Sequence, residues 1–288
     1  MESGDLRIFQ AVAREGTITK AASALGYVQS NVTARIQQLE QELNTSLFHR
    51  SKRGMILTAA GQTLLGHADK ILSLLDTAHK QMLDNDIPNG ALKLGSITTT
   101  AAVHLPSIML NYRRQYPDVK LSLLSSITNE LVEKVLRYEL DGAFVNGPLP
   151  NAELEQIPVF SEELVLISEP GASHLSEVLS EPMLFFNDRC YHRGTMESWL
   201  REEGLPIPEV MEFGTLEAIL GGVAAGLGTT IVPQSVIRRY EMEGTLQAHQ
   251  LPEHYRHLTV QFVYRRDHFK TSAFNKFIAL LQPKEPKA

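Results

Sequence analysis

The hydrophobic and polar positions of the first sixty residues predict three helices in close succession. In each segment the apolar residues recur at helical spacing, at steps of three or four with adjacent pairs in the first two segments, which places them on one helical face. These apolar residues are Leu6, Phe9, Val12 and Ala13 in the first segment, Ala21, Ala22 and Leu25 in the second, and Val32, Ile36, Leu39 and Leu43 in the third. Gly16 and Gly26 end the first two helices, and we expect the Thr19 hydroxyl to cap the second. Short helices joined by tight turns are typical of a helix-turn-helix domain.

The third helix, predicted over residues 29–43, begins with small and polar side chains. A helix enters the DNA major groove when its leading face is slim and polar. The Gln29 amide suits adenine, and Ala34 can contact a thymine methyl. The residues predicted to contact bases and phosphates here are Gln29, Ser30, Asn31, Thr33, Ala34 and Arg35.

A basic segment follows the third helix. Arg50, Lys52 and Arg53 precede Gly54 within residues 48–58, which predicts a short hairpin, or wing, that brings cations to the DNA backbone or into a minor groove. A basic trio alone is usually a solvated surface, and short amphipathic helices are common. The order and spacing of these features together favour DNA binding.

This order of elements resembles the N-terminal signature of the LysR-type transcriptional regulators. The matching residues are Phe9, Ala21, Ala22, Leu25, Gln29, Val32, Thr33, Ile36, Leu39, Glu40, Leu47, Phe48, Arg50, Leu57, Thr58 and Gly61. Asn31 and Ala34 depart from the family's usual residues, so the residues that read bases can differ from the family's. The resemblance implies a homodimer or homotetramer that binds an interrupted inverted repeat in double-stranded DNA, and it is compatible with RNA polymerase as a further partner.

Charge and composition agree with a DNA-binding head on a larger domain. The 288 residues carry a net charge of −6, but residues 1–60 hold seven Lys/Arg against five Asp/Glu, which gives +2 and leaves −8 for the rest. A weakly basic head gains affinity when several heads bind together. No apolar run approaches the ~18 residues of a membrane span and no signal peptide is recognisable, so we expect a cytoplasmic protein without a membrane partner.

The segment after Thr58 predicts a long helix with a dimerisation seam. Its seam positions, at alternating steps of four and three, are Leu64, Ala68, Ile71, Leu75, Ala78 and Met82. The alternative is a helix packed on its own globular domain. Pro88 and the Asn-Gly pair in residues 84–90 indicate a hinge, so we expect a DNA-binding domain over 1–58 and a linker helix with its hinge over 59–87.

From residue 88 to 288, short apolar strands alternate with amphipathic helices, which predicts an α/β domain with a parallel sheet. The scheme repeats, so two lobes are expected: lobe I over about 88–162 and 266–288, and lobe II over about 163–265. The predicted fold is an all-α winged helix-turn-helix with a long linker helix, followed by a two-lobed α/β effector domain. That second domain resembles the periplasmic binding proteins.

Ligands of open α/β sheets bind beyond the carboxyl ends of the strands, where hydroxyls and helix N-termini meet. We expect a small polar or anionic metabolite in the cleft between the lobes, with Arg193 as its cation. Helix capping is the alternative role for the Thr98–Thr100 hydroxyls, and a salt bridge is the alternative role for Arg193. The predicted effector-binding residues are Thr98, Thr99, Thr100, Ser126, Thr128, Asn146, Arg193 and Thr229.

Other functions receive weaker support. Asp188, Cys190 and His192 lack the marks of an activated nucleophile, so we expect no catalytic residue and no enzyme. A Cys190–His192 metal pair would need ligands from His104, His174 or His249 at no recognised spacing, so no metal or cofactor is expected. The single cysteine excludes an intrachain disulfide and leaves a redox switch open. A periplasmic solute-binding protein fits the two lobes but not the head or the missing signal peptide.

Overall fold

The computed structural model describes residues 1–51, 54–83, 87–172, 174–186 and 191–282. Within it the chain forms two compact units, Met1–Asn85 (unit 1) and Asp86–Ala288 (unit 2). None of the described helices is long and apolar enough to cross a membrane.

Unit 1 contains the predicted helices, the hairpin and the long helix. Its elements are α1 (Ser3–Glu15), α2 (Ile18–Leu25), α3 (Gln29–Glu42), β1 (Phe48–Ser51), β2 (Gly54–Leu57) and α4 (Ala59–Leu83). The cap predicted at Thr19 was wrong: Thr17 caps α2, because its hydroxyl accepts a hydrogen bond of 3.2 Å from the Lys20 amide. Thr17 has the extended backbone of an N-cap residue, whereas Thr19 lies within the first turn of α2.

The β1–β2 hairpin is fixed to the helices at both ends. Glu40 accepts hydrogen bonds from the Leu47 and Phe48 amides at 2.7 and 3.2 Å, so α3 holds the entry to β1. The Met55 amide donates to the Gly16 carbonyl at 2.8 Å, which joins β2 to the α1–α2 turn. A glutamate beside a core leucine therefore has a structural role in this head.

Helix α4 begins where it was predicted, since the Thr58 hydroxyl accepts from the Gly61 amide at 3.0 Å. The proposed seam divides in two. In its first half, Leu64 packs against the unit 1 core and Ala68 is fully buried in it. This half of the helix therefore packs on its own domain, which was the alternative to a dimerisation seam. Further along, Ile71 and Leu75 are exposed, as is Met82.

Lobe I of unit 2 is a sheet covered by helices. Its elements are β3 (Gly90–Ser96), α5 (Thr98–Val103), α6 (Leu105–Gln115), β4 (Val119–Ser125), α7 (Thr128–Leu136), β5 (Gly142–Gly147), the first part of β6 (Leu154–Ser168), β11 (His257–Arg265) and α13 (Ser272–Leu281). β3 pairs in parallel with β4 and β5, but β11 pairs antiparallel with β5 and β6. The sheet is mixed rather than parallel, because β11 returns to lobe I from the second lobe in the reverse direction.

Lobe II contains the other half of β6 and the chain between β6 and β11. Its further elements are α8 (Leu175–Val178), β7 (Met183–Phe185), α9 (Tyr191–Glu202), β8 (Val210–Glu212), α10 (Leu216–Ala224), β9 (Thr230–Pro233), α11 (Gln234–Met242), β10 (Gln247–Gln250) and α12 (Glu253–Arg256). β9 and β10 both pair antiparallel with residues 164–168 of β6.

Strand β6 passes through both lobes, because residues 154–163 pair with β11 and residues 164–168 pair with β9 and β10. The exit from lobe I thus lies close to the expected residue 163. The return differs: we expected lobe I to resume near 266, but β11 already lies in its sheet from His257. Val260, Phe262 and Val263 belong to the lobe I core, which explains the earlier return.

Candidate functional site

The leading end of α3 presents exposed side chains at Gln29, Ser30, Asn31 and Ala34. The opposite face buries Val32, Ile36 and Leu39 in the unit 1 core. No side chain caps α3 at Val28, so amides of its first turn face outward without a capping group. Free amides at a helix start suit a phosphate oxygen.

Thr33 and Arg35, also predicted to contact DNA, have partners inside the head. The Thr33 hydroxyl donates to the Gln29 carbonyl at 2.9 Å. The Arg35 guanidinium donates to Asp5 of α1 at 3.1 Å, and this carboxylate is buried while the arginine side chain is 43% exposed. Arg35 therefore holds α3 against α1 while much of its side chain stays open to solvent.

Two side chains at this end were not expected from the sequence. Tyr27 and Val28, immediately before α3, are 50% and 68% exposed. They stand in a turn outside the helical pattern, so periodicity gives no signal for them. Their exposure beside Gln29 was the missing information, since an apolar group there could contact a thymine methyl.

The basic part of the hairpin is only partly described. Strands β1 and β2 pair antiparallel, as expected for a wing, and His49 on β1 is exposed. Lys52, Arg53 and the side chain of Arg50 lie outside the described residues. Their role in DNA contact stays a prediction from the sequence.

Unit 2 contains a cavity of about 840 Å³ between its lobes, here called the cleft cavity. On the lobe I side it lies beyond the carboxyl ends of β3, β4 and β5, and on the lobe II side it meets the starts of α9 and α10. Its walls are Ile97, Thr98, Thr99, Ser125, Ser126, Ile127, Thr128, Asn129, Glu130, Asn146, Gly147, Pro148, Leu149, Phe186, Tyr191, His192, Gly214, Thr215, Leu216 and Glu217.

Five of the predicted effector-binding residues meet in this cavity, and three do not. Those in its wall are Thr98, Thr99, Ser126, Thr128 and Asn146. Thr100 and Thr229 are almost fully buried and do not line the cavity, and Arg193 pairs with Glu197 at 2.8 Å and with Glu212 at 3.7 Å. Arg193 is thus held by acidic groups of α9 and β8 and is not among the residues that line the cavity.

Two polar atoms in the cavity wall are buried without a hydrogen-bond partner among the described residues. They are Oδ1 of Asn146, from β5 in lobe I, and Nε2 of His192, from α9 in lobe II. Burial lowers the pKa of His192 to about 4, so its imidazole is neutral at pH 7. An unsatisfied buried polar group is costly, and a polar ligand can supply the missing partner.

The hydroxyls of the cavity differ in how they are engaged. The Ser126 hydroxyl donates to Glu130, and the Thr128 hydroxyl accepts from the backbone N–H of Asn146 at 3.3 Å. Thr215 caps α10 by accepting from the Ala218 amide at 3.1 Å. The cavity thus combines capped and uncapped helix starts with hydroxyls and an apolar lining.

The metal and nucleophile hypotheses both involve Cys190, which lies outside the described residues. No group of three or more His, Cys, Asp or Glu there is arranged to hold a metal ion. His104 pairs with Glu162 and His249 with Ser168, while His174 lies exposed before α8. Asp188 and Cys190 lie outside the described residues, so the redox hypothesis stays a prediction.

Comparison with known families and proteins gives a consistent result for both units. Residues 3–62 match the family described as bacterial regulatory helix-turn-helix protein, lysR family, and residues 85–285 match the LysR substrate binding domain. The HTH-type transcriptional regulator YusT of Bacillus subtilis is 50% identical over 283 residues, covering 98% of this chain and 96% of that protein. The regulator named SoxR of an Arthrobacter species is 46% identical over 282 residues, covering 98% and 97%.

Solved structures show the same fold. A full-length OxyR variant of Pseudomonas aeruginosa is similar with a TM-score of 0.71 and 23% identity, covering 98% of this chain and 93% of that one. CbnR in complex with its target DNA is similar with a TM-score of 0.67 and 22% identity, covering 98% and 99%. The fold expected from the sequence, a winged helix-turn-helix with a long linker helix and a two-lobed α/β domain, is confirmed.

Proposed function

The chain belongs to the LysR family of transcriptional regulators, and we propose that the leading end of α3 reads an operator whose occupancy changes when a small molecule enters the cleft cavity. The protein is a DNA-binding regulator with a substrate-binding domain and not an enzyme. The proposal concerns which residues do each task and what kind of ligand is bound.

DNA reading is assigned to the exposed start of α3. Gln29, Ser30 and Asn31 lie there, Ala34 is exposed one turn later, and Tyr27 and Val28 flank them. Thr33 contributes from a partly buried position, and Arg35 reaches a phosphate with the open part of its guanidinium. Arg50, Lys52 and Arg53 supply the phosphate contacts of the wing.

The operator test uses two glutamines at opposite ends of α3. Gln29→Ala removes an amide at the leading end, whereas Gln41→Ala changes an exposed amide twelve residues away, ~18 Å along the helix. We expect Gln29→Ala to weaken operator binding by ~5- to 100-fold, the equivalent of one lost base contact. Footprinting and binding titrations on the promoter beside the protein's own gene measure this. If both variants bound the operator with equal affinity, the leading end of α3 would not be the part that contacts the bases.

The assembly is assigned to α4 and to unit 2. Beyond the core-packed half of α4, the exposed apolar residues are Ile71, Leu74, Leu75, Ala78 and Met82. An apolar stripe on a helix is buried by pairing with a second copy. We infer a homodimer through α4 and a homotetramer on an interrupted inverted repeat. CbnR, a structural relative, is described in complex with its target DNA.

The proposal for effector binding rests on the two polar atoms of Asn146 and His192 that lack a hydrogen-bond partner among the described residues. A ligand between the lobes can satisfy Oδ1 of Asn146 on one side and Nε2 of His192 on the other, so it favours the closed arrangement of the two walls. Thr98, Thr99, Ser126 and Thr128 add hydroxyls. The ligand is therefore a small polar metabolite, neutral or singly anionic, with an apolar part against the isoleucines and Phe186.

The remaining predicted residues act behind this wall. Thr100 in α5 and Thr229 just before β9 are almost fully buried, and Arg193 donates a hydrogen bond of 2.8 Å to Glu197 on the same helix. We propose that they shape the cavity rather than bind the effector.

The effector test measures thermal stabilisation by a panel of small metabolites. We expect Asn146→Ala to abolish the stabilisation that one compound gives the parent protein, and Asn111→Ala, on the exposed face of α6, to keep it. The same compound should shift the footprint of the parent but not of Asn146→Ala. If Asn146→Ala is stabilised like the parent, the effector binds elsewhere.

A further inference from the structure

Lobe II contains a second cavity, of about 500 Å³, that shares no wall residue with the cleft cavity. It lies among α8, α9, α12 and the end of β10. Leu179, Leu205 and Leu251 give it an apolar wall, and Trp199 and Arg256 border it as well. We call it the lobe II cavity.

Two N–H donors at this cavity are buried without acceptors among the described residues. One is Nε1 of Trp199, a side chain that is only 2% exposed, and the other is Nε of Arg256. The rest of the Arg256 guanidinium is engaged, since Nη1 contacts Glu253 at 2.9 Å and Nη2 donates to the Leu251 carbonyl at 3.1 Å. These two bonds hold the guanidinium in place and leave its Nε edge for another acceptor.

We propose that the lobe II cavity binds a small amphipathic monocarboxylate. The carboxylate accepts from Arg256 Nε and Trp199 Nε1, since a guanidinium edge pairs with carboxylates through short, charge-assisted hydrogen bonds. The hydrocarbon part packs on Leu179, Leu205 and Leu251. Glu203 is also in the wall, in an exposed position, and its carboxylate disfavours a second negative charge on the ligand.

Helix α9 borders both cavities, with His192 in the first and Trp199 in the second. Seven residues separate them, about two helical turns, so the two side chains lie on the same side of the helix. A ligand at Trp199 therefore touches the same rigid element as an effector at His192. The inference goes beyond the proposed function, because it adds a second ligand to lobe II.

The protein reports on this site directly, because Trp199 is its only tryptophan. We would titrate the full chain with phenylacetate and follow tryptophan fluorescence, with uncharged phenylacetamide as the matched probe. We expect a saturable change with phenylacetate and binding weaker by about tenfold or more with phenylacetamide, the effect of one charge-assisted hydrogen bond. Equal binding of both probes would overturn the carboxylate assignment, and no saturable change with phenylacetate or hexanoate would overturn the site.

Variants locate the bound probe. Arg256→Leu should weaken phenylacetate binding by about tenfold or more. The control Arg239→Leu removes an exposed arginine of α11 that pairs with Glu243, and it should leave phenylacetate binding unchanged. If Arg256→Leu does not fold, Leu205→Phe narrows the cavity from its exposed rim and should give the same loss. Asn146→Ala should bind phenylacetate normally. If Asn146→Ala lost phenylacetate binding while Arg256→Leu bound it fully, the probe would lie in the cleft cavity and the proposal would be contradicted.

Discussion

The side-chain amide of Gln10 on α1 donates a hydrogen bond of 2.5 Å to Asp69 on α4. Arg14 of α1 adds a second contact to the same carboxylate at 3.3 Å, and the Asp69 side chain is only 3% exposed. One buried carboxylate thus connects the first helix of the head to the long helix that leaves it. An exposed pair between the same two helices, Arg7 and Asp76 at 2.6 Å, offers a natural comparison.

We predict that Asp69→Ala destabilises unit 1 by roughly 1–3 kcal/mol, because the Gln10 amide loses its buried acceptor. Asp76→Ala removes an exposed ion pair and should cost less than about 1 kcal/mol. Hydrogen exchange of α1 and α4 measures both effects. Equal protection in the two variants would show that burial of Asp69 adds nothing to the connection.

Gly61 and Gly66 test how closely α4 approaches the head. A Cβ at Gly61 would lie 2.2 Å from the Leu47 carbonyl oxygen, whereas a Cβ at Gly66 would meet nothing within 4 Å. We expect Gly61→Ala to destabilise unit 1 by about 1–3 kcal/mol through overpacking. Gly66→Ala should stabilise it by about 0.5–1 kcal/mol, because alanine suits a helix interior better. The same sign of change for both would contradict this packing.

The buried imidazole of His192 predicts a pH dependence of stability. Its pKa falls from the usual 6.5 to about 4 because of burial, so between these values the unfolded chain binds more protons than the folded one. Stability from this group is complete above pH 6.5 and is lost as the pH falls toward 4, by up to roughly 3 kcal/mol. Urea unfolding followed by Trp199 fluorescence should show this loss in the parent and a flatter profile in His192→Gln. Parallel profiles would mean that His192 does not titrate this way.

The exposed half of α4 predicts how the protein assembles. Met82 on α4 and Met242 on α11 are 81% and 82% exposed, so a substitution at Met242 is a matched control for the same substitution at Met82. Met82→Lys and Leu75→Lys should each weaken self-association by about tenfold or more, because each places a charge in the proposed apolar contact. Met242→Lys should have no effect. Sedimentation velocity across protein concentrations measures this, and an unchanged oligomer in both α4 variants would remove α4 from the interface.

The sequence predicted features that depend on local periodicity and on strand ends. Helices α1, α3 and α4 follow their apolar spacing, and Thr58 caps α4 as expected. Thr98, Thr128 and Asn146 line the cleft cavity because each follows or ends a strand of lobe I, where parallel strands bring their carboxyl ends together.

The sequence could not predict features that depend on tertiary contact. The place of β11 in lobe I is decided by its pairing with β5 and β6, which hydrophobicity does not encode. The direction of Arg193 depends on acidic partners one turn along α9 and on β8. From the sequence, His192 was considered only as a metal or catalytic residue. Its burial and its lowered pKa come from the residues packed around it, which the sequence does not show.

Helix α4 is 25 residues long, which corresponds to about 37 Å. Because Leu64, Ala68 and Asp69 fasten its first half to the head, we expect the helix and the head to move as one rigid body. A tilt of ~10° over that length displaces the far end by ~6 Å, close to the rise of two base pairs. Under the proposed DNA-reading role of α3, we expect such a tilt to lift or shift α3 along the groove without a rearrangement inside the head.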